Sequence, residues 1–359
     1  EHVRSLIGEV LTEVVTENNK ALVLFDEKIR FYYTSFLSSF GCVIVCGEKK
    51  IFITDKRYVV DATKQCAPGC EVVTLSEDGL YADIKKQLEA LNVKNIGFES
   101  KTLSVEQFEK LKEALPGYEF VPADDEISEA QSVKRQDEID NIAKAQWITQ
   151  KALINVVPKI KPGITEKAVA AEIVYQMMLL GAECPSFDSI VCFGANSACP
   201  HHKPSDTRLD KNDIILIDIG AKYHGYCGDM TRTFCIGKPS PEFERMHRTV
   251  KAAQQFGLER IKAGVSARYI DTIVREYFAA NGFKDEFTHS LGHGVGVNIH
   301  ERPFMGPRST ETLKENMLVT CEPGVYVEGV GGVRIEDLVV VKEDGIENLT
   351  TLANKNINF

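Results

Sequence analysis

Ile214-Ile-Leu-Ile-Asp-Ile-Gly-Ala-Lys-Tyr-His-Gly-Tyr-Cys-Gly-Asp-Met-Thr-Arg-Thr-Phe-Cys235 sets two carboxylates in an otherwise apolar pair of strands. Asp218 sits inside Ile214–Gly220, about the most apolar stretch of the chain. An unpaired charge in a buried strand is costly, so Asp218 needs a compensating partner. The turn His224–Gly228 folds the stretch into a hairpin and places Asp229 across from Asp218. A second hairpin repeats the plan: Glu322 follows Met317-Leu-Val-Thr-Cys321, Glu336 lies within Val333-Arg-Ile-Glu-Asp-Leu-Val-Val340, and the Gly-rich turn Glu328–Gly332 separates them. For any one of these carboxylates, an arginine partner, a capping role or a solvent-facing strand end would suffice. Four of them at matched places in two hairpins point to a metal centre. Hard oxygen ligands in that number favour manganese, cobalt or zinc over a thiolate site.

Working outward, the duplication extends beyond the hairpins. Lys161-Pro-Gly-Ile-Thr165 matches Lys262-Ala-Gly-Val-Ser266 at an offset of 101 residues. In each copy a Gly turn leads to a hydroxyl residue suited to cap a helix. Apolar positions then run in step, Val169 with Ile270, Ile173 with Val274 and Met177 with Phe278, and both helices end at a glycine, Gly181 and Gly282. Each helix is followed by a stretch ending in histidine and then proline, His201 to Pro204 and His300 to Pro303. Helix, histidine loop and acidic hairpin thus recur in one order. Residues 160–340 read as a duplicated half-domain with pseudo-two-fold symmetry and a shared site between the halves. His293, in His289-Ser-Leu-Gly-His-Gly-Val-Gly296, has glycine on both sides, which lets the backbone turn its imidazole towards a partner. Parity alone does not bring His293 and His300 together, since seven residues is an odd step along a strand, so that stretch must bend or be non-strand. A zincin is excluded, because His300-Glu301 lacks the second histidine of HExxH.

A chain of 359 residues is long for one core, and two domains are expected. Residues 1–125 alternate strands (Ala21–Phe25, Cys42–Cys46, Lys50–Thr54, Tyr118–Val121) with helices (Gly79–Leu91, Val105–Leu115). Pro122–Gln136 reads as a polar connector into a long helix over Asp137–Val157, with the domain boundary near residue 125. The formal charge is 42 − 52 = −10, and no basic block is present. That balance argues against nucleic acid, whose binding is dominated by phosphate neutralisation. No run approaches the ~18 apolar residues of a membrane span. Glu1–Val10 lacks the basic segment and apolar core of a signal peptide. The ten cysteines form no CxxC pair, and several lie in apolar strand-like runs. Free thiols in a reducing cytoplasm fit that pattern better than disulfides or a thiolate zinc site.

The stretches Leu216–Gly220, Gly225–Thr233, His289–Gly296, Glu322–Tyr326 and Gly332–Asp337 together resemble the pita-bread metallopeptidases, and within them aminopeptidase P and prolidase. Tyr32–Phe36 and Ile53–Tyr58 resemble the creatinase-type N-terminal domain. The resemblance implies an α+β chain: a smaller α/β creatinase-type domain over 1–125, then a pita-bread catalytic domain over 126–359. It implies two divalent metal ions, manganese(II) before cobalt(II) or zinc(II). Asp218 would chelate one, Asp229 and Glu336 would bridge both, and His293 with Glu322 would complete the other. A hydroxide bridging the metals would attack the scissile carbonyl. Glu322 would also shuttle the proton to the leaving nitrogen. His201 and His300 match histidines that bond the substrate, and His289 matches one lining the pocket after the scissile bond. Thr231, Thr320 and Arg334 would support the ligands from neighbouring strand positions.

The implied substrates are small peptides with proline second. The first reading is aminopeptidase P, which removes the residue before proline from peptides of various lengths; the alternative, prolidase, requires an Xaa-Pro dipeptide and must capture its carboxylate, for which Arg334, Arg302 or His289 are available. The resemblance also implies a homodimer. Three rivals fit less well. Creatinase has its metal ligands replaced, whereas all five positions are intact here. Methionine aminopeptidase usually lacks a domain like residues 1–125, and a non-catalytic pita-bread binding protein would not need five ligands.

Overall fold

The computed structural model describes residues 19–359, so the Glu1–Val10 segment read above lies outside the described residues. The chain divides into two compact units, one ending at Gln131 and the other spanning Ser132–Phe359. In the first, six strands form one sheet in the order Cys70–Thr74, Lys49–Thr54, Cys42–Cys46, Lys20–Leu24, Asn95–Phe98, Glu119–Pro122. The three middle pairings of Lys49–Thr54, Cys42–Cys46, Lys20–Leu24 and Asn95–Phe98 are antiparallel, antiparallel and parallel in turn. Lys20–Leu24 is buried along its whole length, which requires cover on both faces of the sheet. Helix Val105–Ala114 opens with a reciprocal cap, Ser104 and Gln107 bonding each other's backbone.

The expected connector is different. Asp124–Ser132 is a helix, with Asp124, Asp125 and Glu126 in its first turn where carboxylates favour the positive end of the helix dipole. Ile127 anchors it in the interior. Its polarity reads as loop in the sequence because one turn of apolar contact suffices once the charges complement the helix end.

In the second unit the duplication is visible in detail. Thr165 and Ser266 each accept a hydrogen bond from the backbone three residues on, opening helices Glu166–Leu179 and Ala267–Ala280. Gly163 and Gly264 precede them at φ +92° and +83°, a conformation glycine adopts without strain. Each of these glycines donates its N–H across to a strand-like segment, to Leu209 O and Leu313 O, both at 2.8 Å. Val169, Ile173 and Met177 in one copy, and Ile270, Val274 and Phe278 in the other, are fully buried. The first half carries the sheet Met230–Cys235, Ile214–Ile219, Ile190–Phe193; the second carries Glu301–Met305, Gly292–Gly294, Leu318–Cys321, Asp337–Lys342, Gly345–Asn348. The long helix Gln136–Val156 packs against the first half's strands. No helix among the described residues is long and apolar enough to cross a membrane.

Candidate active site

The two hairpins deliver their carboxylates at equivalent strand ends. Asp218 is the penultimate residue of Ile214–Ile219, paired in register with Thr231. Asp229 directly precedes Met230–Cys235, Glu322 directly follows Leu318–Cys321, and Glu336 directly precedes Asp337–Lys342. His293 is the middle residue of Gly292–Gly294. A Cβ at Gly292 would lie 2.0 Å from Thr320 O, and one at Gly294 would lie 2.2 Å from Arg302 O. The flanking glycines therefore let three strands close up around the histidine. The register shifts between His293 and Gly294, and the chain bends before strand Glu301–Met305. That irregularity brings the His293 and His300 ring centroids to 4.3 Å, as the parity argument required.

A single pocket of about 500 Å³ is lined by Asp218, Asp229, His293, Glu322 and Glu336 and also by His201, His289, His300 and Arg334. Ligand atoms of Asp229, His293 and Glu336 lie within 4.8 Å of one another. His293 Nε2 is 3.4 Å from Glu322 Oε1 and 3.6 Å from Asp229 Oδ2.

Fixed donors aim the carboxylates. Thr231 Oγ1 donates to Glu336 Oε2 at 2.7 Å, and Thr320 Oγ1 donates to Glu322 Oε1 at 3.3 Å. Arg334 donates to Asp218 Oδ2 at 2.7 Å, to Tyr326 Oη at 2.6 Å and to Thr231 Oγ1 at 3.1 Å. Three contributors escaped the sequence reading. Gln146, buried in the long helix, clamps the backbone of Asp229, accepting from its N–H at 2.8 Å and donating to its carbonyl at 2.7 Å. Tyr326 lies 2.9 Å from His289 Nε2 and links that histidine to Arg334. Buried Glu166 accepts from Phe193 N–H, Asn196 and Ser205 and bonds His202 at 2.8 Å, which fixes the loop carrying His201. A polar residue on the buried side of an amphipathic helix was the available signal for Gln146.

Electrostatically the pocket is under stress. Burial, then repulsion from the neighbouring carboxylates, raises Asp229 and Glu336 well above the usual range. Burial holds Glu322 up at about 8 even though Arg334 opposes the shift. Burial pushes His293 down to about 3, leaving a neutral imidazole. Asp218 Oδ1 is buried without a hydrogen-bond partner. Four crowded carboxylates, an orphaned acceptor and a neutral imidazole are the donor set that divalent cations satisfy.

Residues 140–343 match the family described as Metallopeptidase family M24. The chain belongs to that family. Its M24 region is preceded by a match to the Creatinase/Prolidase N-terminal domain over residues 8–133. An Xaa-Pro dipeptidase of Pyrococcus furiosus is 37% identical over 346 residues, covering 95% of this chain and 97% of its own. An uncharacterized peptidase of Bacillus subtilis is 35% identical over 352 residues, covering 98% and 97%. Among solved structures, an Xaa-Pro dipeptidase from Bacillus anthracis superposes with a TM-score of 0.93 at 36% identity over 98% of both chains. An X-Pro aminopeptidase from Thermotoga maritima gives 0.89 at 37% identity, covering 94% of this chain and 96% of that one. This M24 peptidase is therefore a hydrolase with the pita-bread fold, and its family implies divalent metal ions.

Proposed function

We propose that this M24 peptidase is a metal-dependent exopeptidase that hydrolyses the bond between an N-terminal residue and a following proline. The observation that carries the reading is the convergence of Asp218, Asp229, His293, Glu322 and Glu336 in one pocket whose acidity demands cations. Two divalent ions, manganese(II) before cobalt(II) or zinc(II), would be held by those five residues. Such ions supply Lewis acidity and make water nucleophilic near neutral pH. Glu322 takes a proton from the attacking water and delivers it to the leaving proline nitrogen. His201 and His300 hydrogen-bond the substrate carbonyl and the charge that develops on it. His289, held by Tyr326, lines the pocket for the proline ring. Arg334 offers the substrate a guanidinium face already anchored on Asp218, Tyr326 and Thr231.

The relatives named Xaa-Pro dipeptidase support dipeptides as substrates. The Thermotoga maritima X-Pro aminopeptidase supports a second reading, in which longer peptides are cleaved. The test is to strip the protein with a chelator, restore manganese, cobalt or zinc separately, and follow Ala-Pro, Ala-Pro-Ala and Ala-Ala-Ala. Two metals per chain, loss of activity on stripping and a marked preference for proline are expected. Full activity in verifiably metal-free protein would remove the mechanism, and equal cleavage of Ala-Ala-Ala would remove the specificity.

A further inference from the structure

His201 and His300 occupy matched loops in the two halves, and the residue after each is tied down differently. His202 bonds buried Glu166, the first residue of helix Glu166–Leu179. The matched helix opens on Ala267, which follows its capping Ser266 as Glu166 follows Thr165 and carries no polar side-chain group. The second half therefore lacks that tie, and Glu301, the residue after His300, takes one from outside the repeat. Lys134 Nζ donates to Glu301 Oε1 at 2.5 Å and to Ser132 O at 3.3 Å. The Lys134 side chain is fully buried and that of Glu301 nearly so.

The other Glu301 oxygen accepts the Asn298 N–H at 3.2 Å, and the Gly296 N–H donates to Asn298 O at 3.0 Å. Gly296 packs directly on the carboxylate, where a Cβ would lie 2.3 Å from Glu301 Oε1. Glu301 thus closes the loop 296–300 upon itself, and Lys134 fixes Glu301. Lys134 has a fixed place of its own. Its N–H donates to Asn316 O at 3.0 Å, and Val133 bridges Met317, the residue that enters strand Leu318–Cys321 and so leads to Glu322. One residue therefore spans from the strand that carries the proposed proton shuttle to the loop that carries His300. Desolvation offsets most of the attraction within a buried ion pair, so stability alone is a weak reason for one.

We infer that Lys134, acting through Glu301, is a positioning residue that sets His300 in place relative to Glu322 and the metal pocket. The inference rests on the Xaa-Pro reading above and adds to it how the second histidine is held. Lys134 does not line the pocket itself. Without its ammonium, Glu301 keeps Asn298 but loses its anchor, and the loop carries His300 out of line. His300 is assigned a hydrogen bond that strengthens as charge develops on the substrate carbonyl, so its misplacement lowers kcat more than it raises KM.

The experiment compares manganese-loaded wild type, Lys134→Met, His300→Ala and the Lys134→Met/His300→Ala double variant on Ala-Pro and Ala-Pro-Ala. Methionine keeps much of the length of lysine and its apolar stem, and removes the charge. Lys134→Met should lower kcat by about 10-fold, part of the loss expected of His300→Ala, with KM changed by less than about 2-fold. In the His300→Ala background the same substitution should cost less than about 2-fold, because a residue acting through His300 has nothing left to position. Metal content should match that of wild type in Lys134→Met. Lys134→Met/Glu301→Gln removes both charges and keeps an acceptor for Asn298, so it leaves no stranded carboxylate and should show the same loss in kcat. Wild-type kcat in folded Lys134→Met or in that neutral pair overturns the positioning role. An equal loss with and without His300, or loss of metal from Lys134→Met, overturns it as well. Each of those results leaves the Xaa-Pro reading standing. A wild type that cleaves neither peptide overturns that reading, full activity in His300→Ala overturns its assignment of His300, and the inference falls with either.

Discussion

Glu322 and His300 stand about the same centre with different proposed duties, and single substitutions separate them. Glu322→Gln keeps an oxygen that can face a metal and removes the base. Turnover should fall ~10²-fold or more, within the span of general acid–base catalysis. His300→Ala should keep both metals, because His300 is assigned to the substrate alone. Its turnover should also fall ~10²-fold through loss of a donor to developing charge. Metal content and single-turnover rates on Ala-Pro decide the matter. Near wild-type turnover in a folded, two-metal His300→Ala protein would take His300 off the catalytic list and leave the metal centre standing. Asp218, Asp229, Glu322 and Glu336 were legible because a charge in an apolar strand has few inexpensive explanations. Gln146 was not, since its partner Asp229 lies 83 residues away and only folding brings them together.

Strand spacing around His293 depends on Gly292 as much as on any ligand. A methyl there would meet backbone, Thr320 O at 2.0 Å and Thr320 C at 2.8 Å, and no rotamer change can relieve it. Thr320 Oγ1 in turn accepts the His293 N–H at 3.1 Å and bonds Glu322. Gly292→Ala should therefore push Gly292–Gly294 away from Leu318–Cys321 and displace both His293 and Glu322. Metal stoichiometry should drop below two per chain, and unfolding should become easier by about 1–3 kcal/mol, the usual scale of overpacking. Chemical denaturation alongside metal analysis tests this; a variant that binds two metals and unfolds like wild type would show that the close approach is dispensable. Repeated caps and glycine stops let the matched helices be read from sequence. The helix Asp124–Ser132 was missed because its stabilisation comes from charge at its start and one buried isoleucine, a pattern that also describes a polar loop.

The acidic pocket makes the whole molecule's stability depend on pH when metal is absent. Glu322 is held near 8 against an ordinary 4.5, and Asp229 and Glu336 are raised as well. A carboxyl with a raised folded pKa binds more protons folded than unfolded, so stability is lost as pH climbs through the raised value. His247 at about 4 and His289 and His293 at about 3 act oppositely, costing stability as pH falls below their unfolded value near 6.5. Between about pH 7.5 and 8.5 the histidines are mostly neutral in both states and the carboxyls govern. The metal-free protein should lose thermal stability across that window, and manganese should raise Tm more at about pH 8.5 than at about pH 7.5. Calorimetry with and without metal tests it. A flat metal-free profile would mean that the carboxylates are relieved by some other charge.

The amino-acid sequence by itself determined the alternation of strands and helices before the connector, the duplicated helix, loop and hairpin, and the identity of five candidate ligands. It could do so because periodicity, capping and the cost of a buried charge are local properties that each copy states independently. Tertiary structure alone decided that Gln146 clamps the backbone of Asp229, that Tyr326 links His289 to Arg334, and how the bend after His293 sets His300 edge-on beside it. Those features arise from approaches between segments far apart in the chain, such as Gln146 to Asp229 and Arg334 to Asp218, and no local pattern records a distance.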